Sequence, residues 1–276
     1  MSTGSLRKRH RSDALFGLLA WLAALAMFFP VGWMALASFK SEADAIAVPP
    51  KLIFAPTLEH YREAFSSGFA DFLINSLIAT GVSTLLVIVL AVPAAYALSI
   101  RAIPRWRDVL FFLISTKMMP LAAGIVPLYL VGRTLGLLNT SGILVIVYLS
   151  MNLPLAIWML RSFMSEIPQE VIDAVRVDGA GRVRELTQII VPLVRPGLAS
   201  TALLCAIFAW NEYFLAVNLT STNSTLPVFL QKFLSFGELY TAQVAAVAVL
   251  VNLPVVLAGW LAQKSLTRGL TFGAVR

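Results

Sequence analysis

The chain has 276 residues, 59% of them hydrophobic and only 13% charged, with a mean hydropathy of +0.83. A soluble domain carries about 25% charged residues, so this composition excludes a water-soluble globular protein and indicates a polytopic membrane protein. The net charge of +7 must therefore be read against a bilayer rather than against nucleic acid, and one cysteine (Cys205) with two histidines (His10, His60) gives no basis for a disulfide framework or a metal cluster.

Six stretches reach the roughly 17 to 25 apolar residues that a spanning helix needs: 14–37, 72–100, 108–132, 141–163, 197–219 and 242–262. The first follows Arg7-Lys8-Arg9-His10-Arg11 and ends at Ala35-Leu36-Ala37, as a secretory leader would. Its apolar core is too long for a leader, which predicts an uncleaved anchor. The loop Ser38 to Asp71 carries Pro49-Pro50 and Pro56, which enforce extended backbone, and then a polar, interfacial helix over 57–67. The loop Thr220 to Thr241 begins with the turn-forming Ser221-Thr222-Asn223-Ser224 and continues into a short re-entrant or interfacial piece at Pro227-Val228-Phe229-Leu230.

Lys and Arg set the orientation. With the N-terminus inside, Arg7, Lys8, Arg9, Arg11, the Arg101–Arg107 cluster, the basic residues between 161 and 195, Lys264, Arg268 and Arg276 are cytoplasmic. Only Lys40, Lys51, Arg62, Arg133 and Lys232 are outside, while Lys117 falls within the third span, where it is expected to be buried. The positive-inside rule then puts both termini in the cytoplasm. The expected organisation is a basic cytoplasmic tail (1–13), a first transmembrane helix with its external loop (14–70), a core of five transmembrane helices (71–263) and a cytoplasmic tail (264–276).

On the same inner side lies the charged island Ile167 to Gly181, between long apolar runs. Pro168 at the first helical position, apolar Val171, Ala174 and Val175, and an Asp178-Gly179 turn predict a short amphipathic helix ending at Gly179.

None of the six lysines follows a glycine, so the chain holds no P-loop and cannot itself be a P-loop ATPase. Nor does a nucleophile triad or an acid/base pair assemble, which disfavours a membrane-embedded enzyme. Polar groups inside spans are the remaining candidates. Lys117 either snorkels or pairs to hold helices together, or lies on a solute path. Asn152, beside Pro154, has a structural role or a binding one. In the fifth span Asn211, Phe214, Leu215 and Asn218 share one face of a continuous helix, and Glu212 makes an interhelical bond or touches solute. A secondary transporter or channel using Lys117 and Glu212 as an ion relay is the rival reading.

The island has a further pattern. Asp173-Ala174-Val175, three residues, Gly179, nine residues, Ile189, one residue, Val191-Pro192 resembles the EAA loop of bacterial ABC-importer permeases, with Asp for Glu at 173 and Val for Ala at 175. Phe39-Lys40-Ser41-Glu42, Trp210-Asn211-Glu212 and the ending Gln263 to Val275 are similar to the second permease subunit of carbohydrate importers. Ser115 to Pro120 and the tail Arg268 to Val275 look most like permeases for sugar alcohols such as mannitol and sorbitol. The resemblance implies an all-α type I permease fold with six transmembrane helices in the bacterial inner membrane. It implies a second homologous permease, two ATPase subunits that hold ATP and Mg, and an external solute-binding protein, with membrane lipid around the spans, and no cofactor or nucleic acid on this chain. Carried over by position, Glu170, Asp173, Ala174, Val175, Arg176, Asp178, Gly179 and Ala180 would form the ATPase-coupling helix and turn, while Lys117, Asn152, Asn211, Glu212 and Asn218 are the candidates for the solute pathway.

Overall fold

Long apolar runs become helices even where a proline lies inside them, as at Pro30, Pro93, Pro127, Pro154 and Pro254, and among the described residues no strand occurs. A computed structural model describes residues 3–101, 103–234 and 240–271, with side chains at 16–101, 103–234 and 240–261. The side chains of the tails 1–13 and 264–276, and with them the ending motif, lie outside the described residues. The helices are α1 (Thr3–Ala37), α2 (Glu42–Ala45), α3 (Glu59–Ser66), α4 (Phe69–Ser99), α5 (Trp106–Ser115), α6 (Leu121–Thr134), α7 (Ser141–Ser165), α8 (Gln169–Val177), α9 (Arg182–Arg184), α10 (Val191–Leu193), α11 (Arg195–Trp210), α12 (Phe214–Leu219), α13 (Leu226–Leu234) and α14 (Thr241–Thr271).

Four described segments are long and apolar enough to cross a membrane unbroken: Phe16–Ala37, α4, α7 and Thr241–Leu261. Two more candidate crossings are bent pairs. The third predicted span is a correction: it is not one helix but α5 and α6, meeting at 91° across a 3₁₀ turn at Thr116–Met118. Pro120 explains the break, because its ring disfavours helical backbone at Met119, whose ψ is 126°. The fifth predicted span, 197–219, is also corrected. It begins earlier, at a bend of 80° between Arg182–Leu193 and α11, and stops at Trp210 before α12 resumes at Phe214.

The chain forms two compact units, Met1–Ser67 with Lys232–Val251 and Gly68–Gln231 with Asn252–Arg276. In the first, Lys40 is almost wholly buried. Its Nζ donates to the Lys51 carbonyl at 2.6 Å and lies over the rings of Trp33 and Phe54. The Lys51 ammonium in turn bonds Asp44 and holds that carboxyl below its ordinary value. Glu42 accepts the backbone N–H groups of Ala242 and Gln243, satisfying free donors at the start of α14.

In the second unit the α4 and α7 pair is the centre. Hydrocarbon is as apolar as leucine, so burying apolar surface does not drive helices together in a bilayer; close approach and dispersion do. Ala79, Ser83, Ala91 and Ala95 of α4 and Ala156 of α7 are fully buried, and these small side chains let the two backbones come near. At one end of the pair Ala95, Leu98, Leu160 and Met164 pack with Ile172, Ile190 and Val194, and at the other Ala79, Leu144 and Tyr148 pack with Leu215, Ala216 and Leu219.

Candidate coupling site

The island folds as α8. Pro168 occupies the N-cap rather than the first helical turn, one residue outside the predicted start. Glu170 in the first turn and Arg176 in the last complement the helix dipole. The end is a Schellman motif: Gly179 N–H donates to the Arg176 carbonyl at 3.1 Å and Ala180 N–H to the Val175 carbonyl at 3.2 Å. That geometry needs the left-handed φ of +75° found at Gly179, which a side chain would strain.

One face of α8 is anchored and the other is bare. Ile172 is buried in the core cluster, with Val171, Val175 and Arg176 half-buried beside it. Glu170, Asp173, Ala174 and Val177 are exposed, Val177 at 87%. Gln169 Nε2 donates to Asp173 Oδ1 at 3.0 Å, fixing that carboxylate on the outer face. Asp178 is exposed and Ala180 half-buried in the turn that follows.

Sequence spacing did not single out the group behind α8. Glu185 is fully buried and accepts from Tyr96 Oη at 2.9 Å, from Arg101 Nη2 at 3.0 Å and from Arg176 Nε at 3.4 Å. Arg101 Nε also donates to Tyr96 Oη, a bond that holds the guanidinium pKa above its ordinary value. Tyr96 and Arg101 lie 89 and 84 residues away, so no local pattern could have flagged the cluster.

The five pathway candidates separate. Lys117 is exposed at the α5–α6 break rather than buried, and its Nζ donates to the Met151 carbonyl at 2.8 Å. It lines a hollow of about 260 Å³ with Thr116, Ser150, Met151 and Leu215. Asn211 and Asn218 are exposed, each donating back to the carbonyl four residues earlier, Ile207 and Phe214. The interruption between α11 and α12 removes the continuous face that was expected to align them. Asn152 is fully buried, and its Nδ2 reaches the Cys205 carbonyl of α11. Glu212 is buried, with Oε1 accepting from Leu215 N–H at 2.8 Å and Oε2 from Ala216 N–H at 3.1 Å, so it caps the start of α12. Among the described residues no group of three or more His, Cys, Asp or Glu could hold a metal ion.

The described residues thus combine helices long enough to cross a membrane, two bent crossings, and a short helix with one anchored and one exposed face. The chain belongs to the binding-protein-dependent transport system inner membrane components, whose family model matches residues 69–268. It is 36% identical over the whole of both chains to a probable ABC transporter permease, y4oR, of Sinorhizobium fredii. To the trehalose transport system permease SugB of Mycobacterium tuberculosis it is 33% identical, over 96% of this chain and 98% of that one. Among solved structures, a bacterial ABC transporter that imports the acidic polysaccharide alginate superposes with a TM-score of 0.72 at 28% identity, covering 92% of this chain and 97% of that one. The fold is therefore that of a type I ABC importer permease, in a multi-pass protein of the bacterial cytoplasmic membrane. Such proteins are transport components and not enzymes, and the self-sufficient secondary transporter is set aside.

Proposed function

We propose that this chain forms one half of the pathway of an ATP-driven importer for a polyol or a small sugar, with both termini and α8 in the cytoplasm. A second permease completes the pathway, two ATPase subunits hold ATP and Mg, and an external binding protein delivers the solute. The observation that carries this reading is the two-faced α8. Ile172 ties the helix to the ends of α4 and α7, while Glu170, Asp173, Ala174 and Val177 present acids around an uncovered apolar side chain. Such a face suits a protein groove with an apolar floor and a basic rim, whereas an anionic lipid surface would repel it. ATPase closure against a rigidly anchored helix can tilt the spans behind it, which a floppy loop could not do.

The carbohydrate class is supported by relatives named for trehalose, for trehalose and maltose, and for melibiose, raffinose and stachyose. The polyol assignment within that class rests on Ser115 to Pro120 and the ending Arg268 to Val275. Of the pathway candidates, Lys117, Asn211 and Asn218 offer exposed donors for neutral hydroxyls, while Asn152 and Glu212 act as structural supports. Asp173→Arg and Gly179→Trp should each lower coupled uptake in reconstituted vesicles at least about tenfold, within the usual range of coupling between sites. Wild-type uptake from both variants would sink the coupling assignment. Binding of a polyol and disaccharide panel to the cognate external protein decides the solute class.

A further inference from the structure

We propose that Glu185 is a positioning residue that transmits movement of α8 to α4, a span with no chain connection to α8. The proposal rests on the reading that α8 meets the ATPase. Covalently, α8 is continuous only with α7 before it and with the α9–α11 segment after it. A push on α8 would reach α4 through side chains alone, and apolar contacts slide. The Glu185 cluster is directional instead. Its carboxylate, 0% exposed, holds Arg176 on α8 and both Tyr96 and Arg101 at the end of α4, and Arg101 closes the ring by donating to Tyr96.

The cluster has one anion for two guanidiniums, each about one-third exposed. A buried carboxylate is tolerated only while its partners stay in place, so the native arrangement resists separation of α8 from α4. Removing the anion ends this. Arg101 then loses its carboxylate and Arg176 keeps only Asp173, so nothing charged links α8 to α4 and the two can separate. Asp173 lies 3.8 Å from Arg176 Nη1, so the same arginine also touches the outer face that would meet the ATPase. Outer face, Arg176, Glu185 and the end of α4 form one continuous chain of charge-assisted contacts.

The test uses the complete importer purified through its own ATPase and reconstituted with its binding protein, so only assembled complexes are measured. Spin labels at Gln169→Cys and Ser99→Cys, read against the same labelled importer with Glu185 intact, report the distance between α8 and the end of α4, the native Cys205 being buried. Glu185→Gln should broaden that distance distribution and raise ATP hydrolysed per solute imported about tenfold, the middle of the range for coupled sites. Glu185→Asp, which keeps the charge, should recover part of the coupling, a split that a purely steric role would not give. A Glu185→Gln importer with wild-type distances and wild-type ATP per solute overturns the proposal. The companion Asp173→Arg reads the docking assignment separately. Purified instead through a tag on the permease, it should have lost the ATPase, whereas Glu185→Gln retains it, so a failed dock and a failed relay give different results.

Discussion

Over their most apolar 18 residues the α7 span and the Phe16–Ala37 span have nearly the same mean hydropathy, 2.1 and 1.9, yet half of the first window is buried and none of the second. Their side chains explain the difference. The buried face of α7 includes Leu144, Tyr148, Asn152, Ala156 and Leu160, a mixture of large, small and polar groups that fit only against particular neighbours. Phe16 to Val31 mixes Phe, Leu, Trp and Met with four alanines, carries no polar side chain and is exposed throughout, and lipid satisfies such a surface as well as protein does. Hydropathy thus reports that a segment can cross the bilayer, while residue size and polarity along one face report whether it is held by other helices.

The strongest way to break that contrast is at Gly197 of α11. A Cβ there would collide with the Phe163 ring of α7, so any side chain forces the ring or the helices to shift. Gly197→Leu should cost about 3 kcal/mol, the upper end for overpacking. The measurement is loss of monodisperse permease after heating in detergent, and Phe163→Ala in the same chain should restore much of it because the two residues share one contact. Wild-type stability of Gly197→Leu alone would mean that α7 and α11 are not held this close together.

Next in size is Glu212→Ala, which leaves the buried N–H groups of Leu215 and Ala216 without acceptors. Two such losses should cost about 2 kcal/mol together. At a temperature where the variant remains folded, the concentration dependence of uptake should be unchanged, since a capping carboxylate does not touch solute. A shifted half-saturation with unaltered stability would return Glu212 to the pathway.

Uninterrupted spans were legible in the sequence because a run of apolar residues long enough to cross a bilayer has few other uses. The interruptions before Leu121 and after Trp210 were not, although Pro120 and Asn211 were visible, because apolar residues on both sides of each preserve the composition of a span. The end of α8 was legible for a sharper reason: Asp178-Gly179 permits the left-handed backbone that terminates the helix. Glu185 was not, since flanking Arg182 and Arg184 make it look like solvated charge and its partners are far away in the chain. Local sequence encodes local geometry; a carboxylate shared by three elements exists only after they pack.

The smallest effect is expected at Leu22, 53% exposed in the middle of α1. Leu22→Ala removes three carbons from a surface with no protein packing to lose, so the stability of the purified chain should change by no more than about 0.5 kcal/mol. A substitution at Leu144 of α7, fully buried, provides the counterpart: Leu144→Ala should cost about 2 to 4 kcal/mol through the cavity it leaves. Heating curves of the two variants side by side measure the ratio. If Leu22→Ala instead weakens the assembled importer while leaving the isolated chain unaffected, α1 is covered by another subunit, and its bare face is a protein interface rather than a lipid one.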